Sequence, residues 1–291
     1  RVLVAGAGPA GLEAARVSAE RGHSVILFEK RPETGGQITV AAKAGWREGL
    51  SGIARWLDGQ VRKLGVELRL GMEATVERVL AEEPELVVVA TGGRANKGAF
   101  KGDSLAVSTW DVLTGAVQPA EHVLLYDDSG SHQGPSCAEF MAARGARVEL
   151  ATPERYVGVE MGGTNFPIHL RELYKRGVVM TPDVRLVEVG REGNKLVAVL
   201  RNEYTLAEEE REVDQVVAEH GMLANDELYL ALRPRSRNLG EVDLHALVQG
   251  RPQAIVNNRD GRFMLFRVGD AVASRNIHAA IYDSLRLCKE F

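Results

Sequence analysis

The chain has 291 residues, 45% apolar and 26% charged, the balance of an ordinary globular protein long enough for two substantial cores. Lys and Arg number 36 against 40 Asp and Glu, a net charge of −4 with no sustained basic block, so a nucleic-acid partner is not indicated. No apolar run reaches the roughly 18 residues of a membrane span, and no secretory signal pattern is read. Cys137 and Cys288 are far apart and form no CxxC, which points away from a disulfide framework, a zinc site or an iron–sulfur cluster within the chain. A reducing, cytoplasmic compartment fits. The chain opens at Arg1, without Met and almost inside a strand, as a piece of a longer polypeptide would.

The first 31 residues, RVLVAGAGPAGLEAARVSAERGHSVILFEKR, carry one complete βαβ signal. An apolar run at 2–5 ends at Gly6-Ala-Gly8-Pro9-Ala10-Gly11, a helical stretch follows to Gly22, and SVILFE forms a second strand ending at Glu29. Gly6 permits the tight turn, Gly8 lets backbone approach a pyrophosphate, and Gly11 lets helix and strand pack closely. The helix N-terminus offers free N–H groups and a positive dipole end to phosphate. Glu29 is placed to accept hydrogen bonds from a ribose, and Lys30 and Arg31 are counted with it at the cofactor. A dinucleotide site is the reading.

Behind the ribose strand runs the glycine-loosened loop RPETGGQI, 31–38, with Gly36 and Gln37 as candidates. A helix is expected around 46–64, then a strand and a segment near Thr75 and Val76 whose backbone meets adenine. PELVVVATGG, 84–93, is a buried strand leading into Ala90-Thr91-Gly92. Residues 94–115 read as a crossover. A second βαβ pattern begins at His122 and continues through a hairpin-like stretch, VRLVEVGREGNKLVAVLRN, to DQVVAEHG at 214–221. The acidic run AEEERE, 207–212, reads as a solvated turn rather than a docking patch. Near the end, FMLFRVGDAVASRNIHAAIYDSLRL gives a strand, the pair Gly269-Asp270, and a helix containing Ile277 and His278. The expected fold is α/β with two Rossmann-like nucleotide-binding domains, the second inserted in the first: 1–117, 118–232 and 233–291.

VLVAGAGPAGLEAA, GGQI, VVVATGG, STWDVL and RVGDAVASRNIHAAIYD together resemble the C-terminal half of the NADH:flavin oxidoreductase superfamily, which includes trimethylamine dehydrogenase and 2,4-dienoyl-CoA reductase. The resemblance covers essentially the whole chain and is nearest to amine demethylases of the dimethylglycine and N-methylproline type. It implies FAD at the first fingerprint. The 31–38 loop would run along the pyrophosphate towards the isoalloxazine, Asp270 would hold the ribityl chain, and the last helix would point its N-terminus at the flavin, with His278 just inside it. In that family a barrel carrying FMN and a cysteine-bound [4Fe–4S] cluster performs the substrate chemistry. Neither is in this chain, so no catalytic residue is assigned. The implied partners are that barrel domain or subunit and an electron-transfer flavoprotein, in an oligomeric parent enzyme.

The stretch LLYDDSGSHQGPSCAEF, 124–140, has the outline of a second nucleotide turn, yet Asp127 and Asp128 stand where glycines would be expected. Trimethylamine dehydrogenase-like proteins share this character, whereas dienoyl-CoA reductase-like ones keep the glycines. The following strand ends in LATPER, with Thr152 in place of a ribose acid and Arg155 a weak candidate for a 2′-phosphate. NAD(P) is therefore not expected here, and a carboxylate of the loop is expected to cap the helix at 135–144. His132 is expected to face solvent or bond backbone. EMGG, 160–163, reads as a flexible turn. Two rivals remain: an NAD(P)H-dependent flavin reductase module, and a non-redox scaffold holding only ADP at the first fingerprint.

Overall fold

The computed structural model describes all 291 residues. In the first unit (Arg1–Thr39, Gly49–Arg94 and Leu223–Phe291) five parallel strands lie in the order Met264–Arg267, Leu86–Val89, Val2–Ala5, Val25–Glu29, Glu67–Leu70. Alternate residues of each strand face opposite sides, as the two-residue repeat requires. Val2, Val4, Leu27, Val88 and Phe266 pack with Leu12, Leu57, Val61 and Leu287 of the helices Pro9–Glu20, Ser51–Lys63 and Ile277–Cys288. Leu3, Ile26, Phe28, Val87 and Leu265 pack on the other face with Val79 of Val76–Ala81, and with Tyr229 and Leu232 of Glu227–Leu232. Both faces are covered, so the inner strands are apolar at nearly every position.

The second unit, Val40–Glu48 with Ala95–Met222, holds another parallel sheet. Its strands run Val107–Ser108, Gln215–Glu219, His122–Asp127, Arg147–Ala151, Val179–Thr181. One face carries Val123, Leu125 and Val217 against Cys137 and Met141 of the helix Gln133–Ala142 and Leu173 of Phe166–Lys175. The other face, with Leu124, Tyr126, Val216 and Ala218, is closed by an antiparallel sheet of Val184–Glu192, Lys195–Asn202 and Glu208–Val213. Two parallel sheets in one α/β chain are the architecture expected from the sequence.

The boundaries differ from those expected. The chain leaves the first unit after Arg94 and re-enters it at Leu223, ahead of 117 and 232. Residues 107–108 supply an edge strand to the second sheet, and Tyr229 and Leu232 sit in the core of the first. Val40–Glu48, read as part of the first segment, belongs to the second unit, where Val40 joins the core. The helix expected from residue 46 begins at Ser51, after a 3-10 turn over Gly45–Leu50. The acidic run is no turn. Glu208–Val213 is an edge strand paired with Lys195–Asn202, and its exposed glutamates discourage another chain from adding to that edge. Both cysteines are free and buried on helices, as expected.

Glycine substitutions separate packing from backbone strain. A Cβ on Gly11 would stand 1.8 Å from the Gly6 carbonyl oxygen, whereas one on Gly22, at φ +89°, would meet nothing within 4 Å. Gly11→Ala is expected to cost about 3 kcal/mol or more and Gly22→Ala about 1 kcal/mol in urea unfolding of the full chain. Equal losses would remove the close-approach account of Gly11.

Candidate functional site

Most of the residues singled out from sequence come together at the carboxyl ends of the first sheet's strands, where open α/β sheets bind ligands. Pro9, Ala10 and Gly11 form the first turn of the helix, with Gly8 as its N-cap. No side chain caps this end and no acid lies in its first turn, so side chains leave its amides free for an anion. Gly8 has φ −74°, and a Cβ there would meet only the Gly36 Cα at 3.9 Å. Gly36, at φ +55°, could carry no Cβ, which would stand 2.8 Å from the Gly8 Cα. Two glycine loops thus form one bare backbone cradle.

Glu29 ends its strand with the carboxylate buried. Oε2 accepts from the Ala7 N–H at 2.7 Å and Oε1 from the Arg31 N–H at 2.9 Å. Each oxygen keeps a second acceptor position for a hydroxyl. The Glu29 carbonyl accepts from the Met72 N–H at 2.8 Å, which leads the chain back towards Thr75, the N-cap of Val76–Ala81. Arg31 is half-buried, and Lys30 is exposed.

At the other end of the cradle, Ala90 lies against Gly6, and a Cβ on Gly6 would meet the Ala90 carbonyl oxygen at 2.4 Å. Gly92, at φ +70°, presents its open face to Gln37 Nε2, 3.5 Å from where a Cβ would stand. Gly269, at φ +62°, comes so close to Ala10 that a Cβ would stand 2.8 Å from the alanine methyl. Asp270 accepts from the Arg275 N–H at 3.1 Å; burial is the largest influence and raises its carboxyl above the usual range, with the Gln37 side chain a small opposing influence. Asn276 caps the last helix through the Ala279 N–H at 2.8 Å, with Ile277 half-buried behind it. His278 is exposed and stacks on Tyr282 at 5.8 Å, on the outside of the helix. Asn225 was not legible in sequence. It bonds the Thr91–Gly92 turn from 134 positions away, and no local pattern marks it.

In the second unit the corresponding strand-turn-helix is filled by protein. Asp127 is 1% exposed, and its Oδ1 accepts from the Ser129 N–H at 2.9 Å, the Ser129 hydroxyl at 2.7 Å and the Gly130 N–H at 3.3 Å. A Cβ on Gly134 would stand 2.3 Å from Asp127 Oδ2, so the carboxylate rests on the helix's first turn. The expected cap of the helix at 135–144 by a loop carboxylate is not formed: no side chain makes a cap hydrogen bond there. The helix spans Gln133–Ala142, its N-cap is His132, and the Asp127 bonds go to its own loop as an Asx-type turn.

Asp127 is the direct partner of Glu219 on the neighbouring strand. Glu219, also 1% exposed, accepts from the Thr109 hydroxyl and from the Gly221 N–H at 2.8 Å. Asp128 pairs with His220 Nδ1 at 2.6 Å. Burial pushes Asp127 up to about 6 and Glu219 up to about 8; the charge of Asp128 adds to both shifts, and that of Asp127 adds to the shift of Glu219. His132, expected to face solvent or backbone, instead has Nδ1 3.1 Å from His169 Nε2, and burial lowers the pair to about 4 and about 3. Thr152 is buried and Arg155 exposed.

The sequence profile described as FAD dependent oxidoreductase matches residues 1–122. The chain is 48% identical to N,N-dimethylglycine/sarcosine dehydrogenase of Chromohalobacter salexigens, across all of this chain and 44% of that protein. It is 45% identical to a probable N-methylproline demethylase of Rhizobium meliloti, across all of this chain and 43% of the relative. The chain thus spans less than half the length of these relatives. A thioredoxin reductase of T. acidophilum superposes with a TM-score of 0.68 at 19% identity, covering 99% of this chain and 95% of that one, a likeness of fold alone. No helix is long and apolar enough to cross a membrane.

The buried acids give stability a pH dependence of known sign. Glu219 titrates at about 8 when folded, above its ordinary 4.5, and Asp127 at about 6, above 3.8. Both favour the folded state when protonated, so their contribution is complete below their ordinary values and is lost as pH rises through the folded ones. Below pH 6.5 the buried neutral pair His132 and His169 opposes this fall, because unfolding lets them take protons, so thermal stability of the full chain is expected to drop between pH 6.5 and 8.5, at most by about 1.4 kcal/mol per unit and chiefly through Glu219. Glu219→Gln should flatten most of that fall. An unchanged slope in the variant would refute the assignment.

Proposed function

Because the chain belongs to the FAD-dependent oxidoreductase family and matches the C-terminal part of dimethylglycine- and N-methylproline-demethylase-type flavoproteins, we propose that it is their electron-transfer module. Family membership implies FAD. In this reading the substrate, an N-methylated amino acid, is oxidised elsewhere in the parent enzyme, at an FMN and [4Fe–4S] barrel. Electrons then pass through this module to an external acceptor such as an electron-transfer flavoprotein.

The residues at the first sheet's strand ends fit FAD. The amides of the Pro9–Glu20 helix and the backbone of Gly8 and Gly36 would hold the pyrophosphate, and Glu29 the ribose. The segment at Thr75 and Val76 would border adenine. Gln37, Gly92 and Asp270 would meet the ribityl and flavin end. FAD, when bound, supplies reversible one- and two-electron chemistry, while the protein binds and orients it and tunes its potential. The single observation that carries the reading is the bare face of Gly8 above an uncapped helix N-terminus.

No use of NADH or NADPH is proposed, because the Asp127 carboxylate lies against Gly134, where a pyrophosphate would meet the second helix. Two unit charges about 4 Å apart repel by about 4 kcal/mol at an effective dielectric near 20. Even with its proton, Asp127 fills the volume.

Gly8→Val tests the cradle at a position with an ordinary φ, where the added Cβ would meet only the Gly36 Cα at 3.9 Å. The variant is expected to lose the bound adenine nucleotide, measured by chromatography of the heat-released cofactor, while keeping the melting temperature of the nucleotide-stripped wild type. Full occupancy in Gly8→Val would show that the phosphate site is wrong. ADP released in place of FAD from the unsubstituted protein would favour the scaffold reading. In anaerobic mixing of the full-length parent enzyme, neither NADH nor NADPH is expected to bleach the flavin, whereas an N-methyl amine substrate should. Saturable bleaching by a nicotinamide nucleotide at micromolar concentration would overturn the reading of the second unit.

A further inference from the structure

Two turns meet the flavin end of the proposed FAD site, and both are held by a pair of adjacent residues on the returning segment. The first turn, Thr91–Gly92, follows the strand Leu86–Val89; the second, Gly269–Ala271, follows Met264–Arg267, its direct neighbour in the sheet. Asn225 grips the first turn from several directions. Its N–H donates to the Gly92 carbonyl at 2.9 Å, its Nδ2 to the Thr91 carbonyl at 3.4 Å, and its own carbonyl accepts the Thr91 hydroxyl. Arg94 Nη1 donates to Asn225 Oδ1 at 3.2 Å, so both ends of the amide are engaged and its orientation is set.

Asp226 acts on the second turn through Arg267. Its Oδ2 accepts from Arg267 Nη1 at 2.9 Å, and the same Nη1 donates to the Ala271 carbonyl at 3.3 Å, with the guanidinium 4.6 Å from the Tyr229 ring centre. Asp226 is the N-cap of Glu227–Leu232, yet its side chain makes no cap bond. Its carboxylate is directed to Arg267 instead, although aspartate at this position ordinarily caps.

We propose that Asn225 and Asp226 are positioning residues, a clasp that sets the Thr91–Gly92 turn and the Gly269–Ala271 turn relative to one another and so orients the flavin end of FAD. This rests on the reading of the first unit as an FAD site. Because the Thr91 hydroxyl is committed to Asn225, Thr91 contributes to the cofactor through its backbone, and the turn's open side is the face Gly92 turns to Gln37. Neither residue of the clasp bonds the Gly8 cradle or Glu29, so the adenosine end is independent of it.

The test uses the full-length protein, stripped of nucleotide, with FAD and ADP affinities, the visible circular dichroism of added FAD and the melting temperature measured for each variant. Asn225→Ala and Asp226→Ala are each expected to weaken FAD roughly tenfold, the equivalent of about 1.4 kcal/mol, and to alter the flavin dichroism. ADP affinity should stay within about twofold. Asp226→Asn, which keeps an oxygen for Arg267, should recover most of the FAD affinity. Should Asn225→Ala fail to fold, Asn225→Asp decides, because it keeps the acceptor for Arg94 and loses the donor to Thr91. Equal weakening of FAD and ADP, or unchanged FAD affinity and dichroism, would reduce the clasp to a structural contact. If the unsubstituted protein itself binds ADP and no FAD, the flavin reading falls first and takes the clasp's role with it.

Discussion

A single backbone approach organises the first unit. Gly11 stands so close to the Gly6 carbonyl, and Gly6 to the Ala90 carbonyl, that no side chain fits at either position. With that contact made, the helix starts directly above the strand ends and its first amides point into the space between the Gly8 and Gly36 loops. The positive end of the helix is then left without a side-chain cap or an acid in its first turn, which is what the proposed pyrophosphate site requires. Gly269 repeats the device against Ala10, bringing the turn that carries Asp270 to the same place.

The second unit starts from the same strand-turn-helix plan and meets the helix N-terminus differently. A carboxylate of the chain itself rests on Gly134, and its bonds to Ser129 and Gly130 hold the loop shut. The consequence is a crowding of acids. Asp127 and Glu219 face each other on paired strands with almost no solvent, and like charges there cannot all be ionised. Burial first, and the neighbouring carboxylates after it, keep the proton on Glu219 to about pH 8. The two units therefore end the same strand-turn-helix plan differently: one keeps a cradle bare, the other fills it.

Charge is also used at the margins. The strand Glu208–Val213 exposes glutamates along an unpaired edge, while Arg211 turns back to Glu149 at 3.0 Å and ties the edge to the sheet behind it. That arrangement explains how a segment with the composition of a turn is held in extended pairing. Its backbone satisfies Lys195–Asn202, and its side chains keep other chains away.

Much of this was determined by the sequence alone, because it depends on residues near one another in the chain. The glycine fingerprint, the strand ending at Glu29, the Ala90-Thr91-Gly92 and Gly269-Asp270 turns and the acidic second loop all act within a few residues, where spacing and residue type dictate the local geometry. Tertiary structure alone decided what rests on distant pairs. Asn225 meets Thr91 across 134 positions, His132 meets His169 across 37, and Asp127 meets Glu219 only because their strands lie side by side. The extended strand at 208–213 and the assignment of Val40–Glu48 to the second unit are of the same kind. Local composition misread both, since a strand's partner and a segment's core are chosen by packing and hydrogen bonding across the fold, and no window of neighbouring residues contains them.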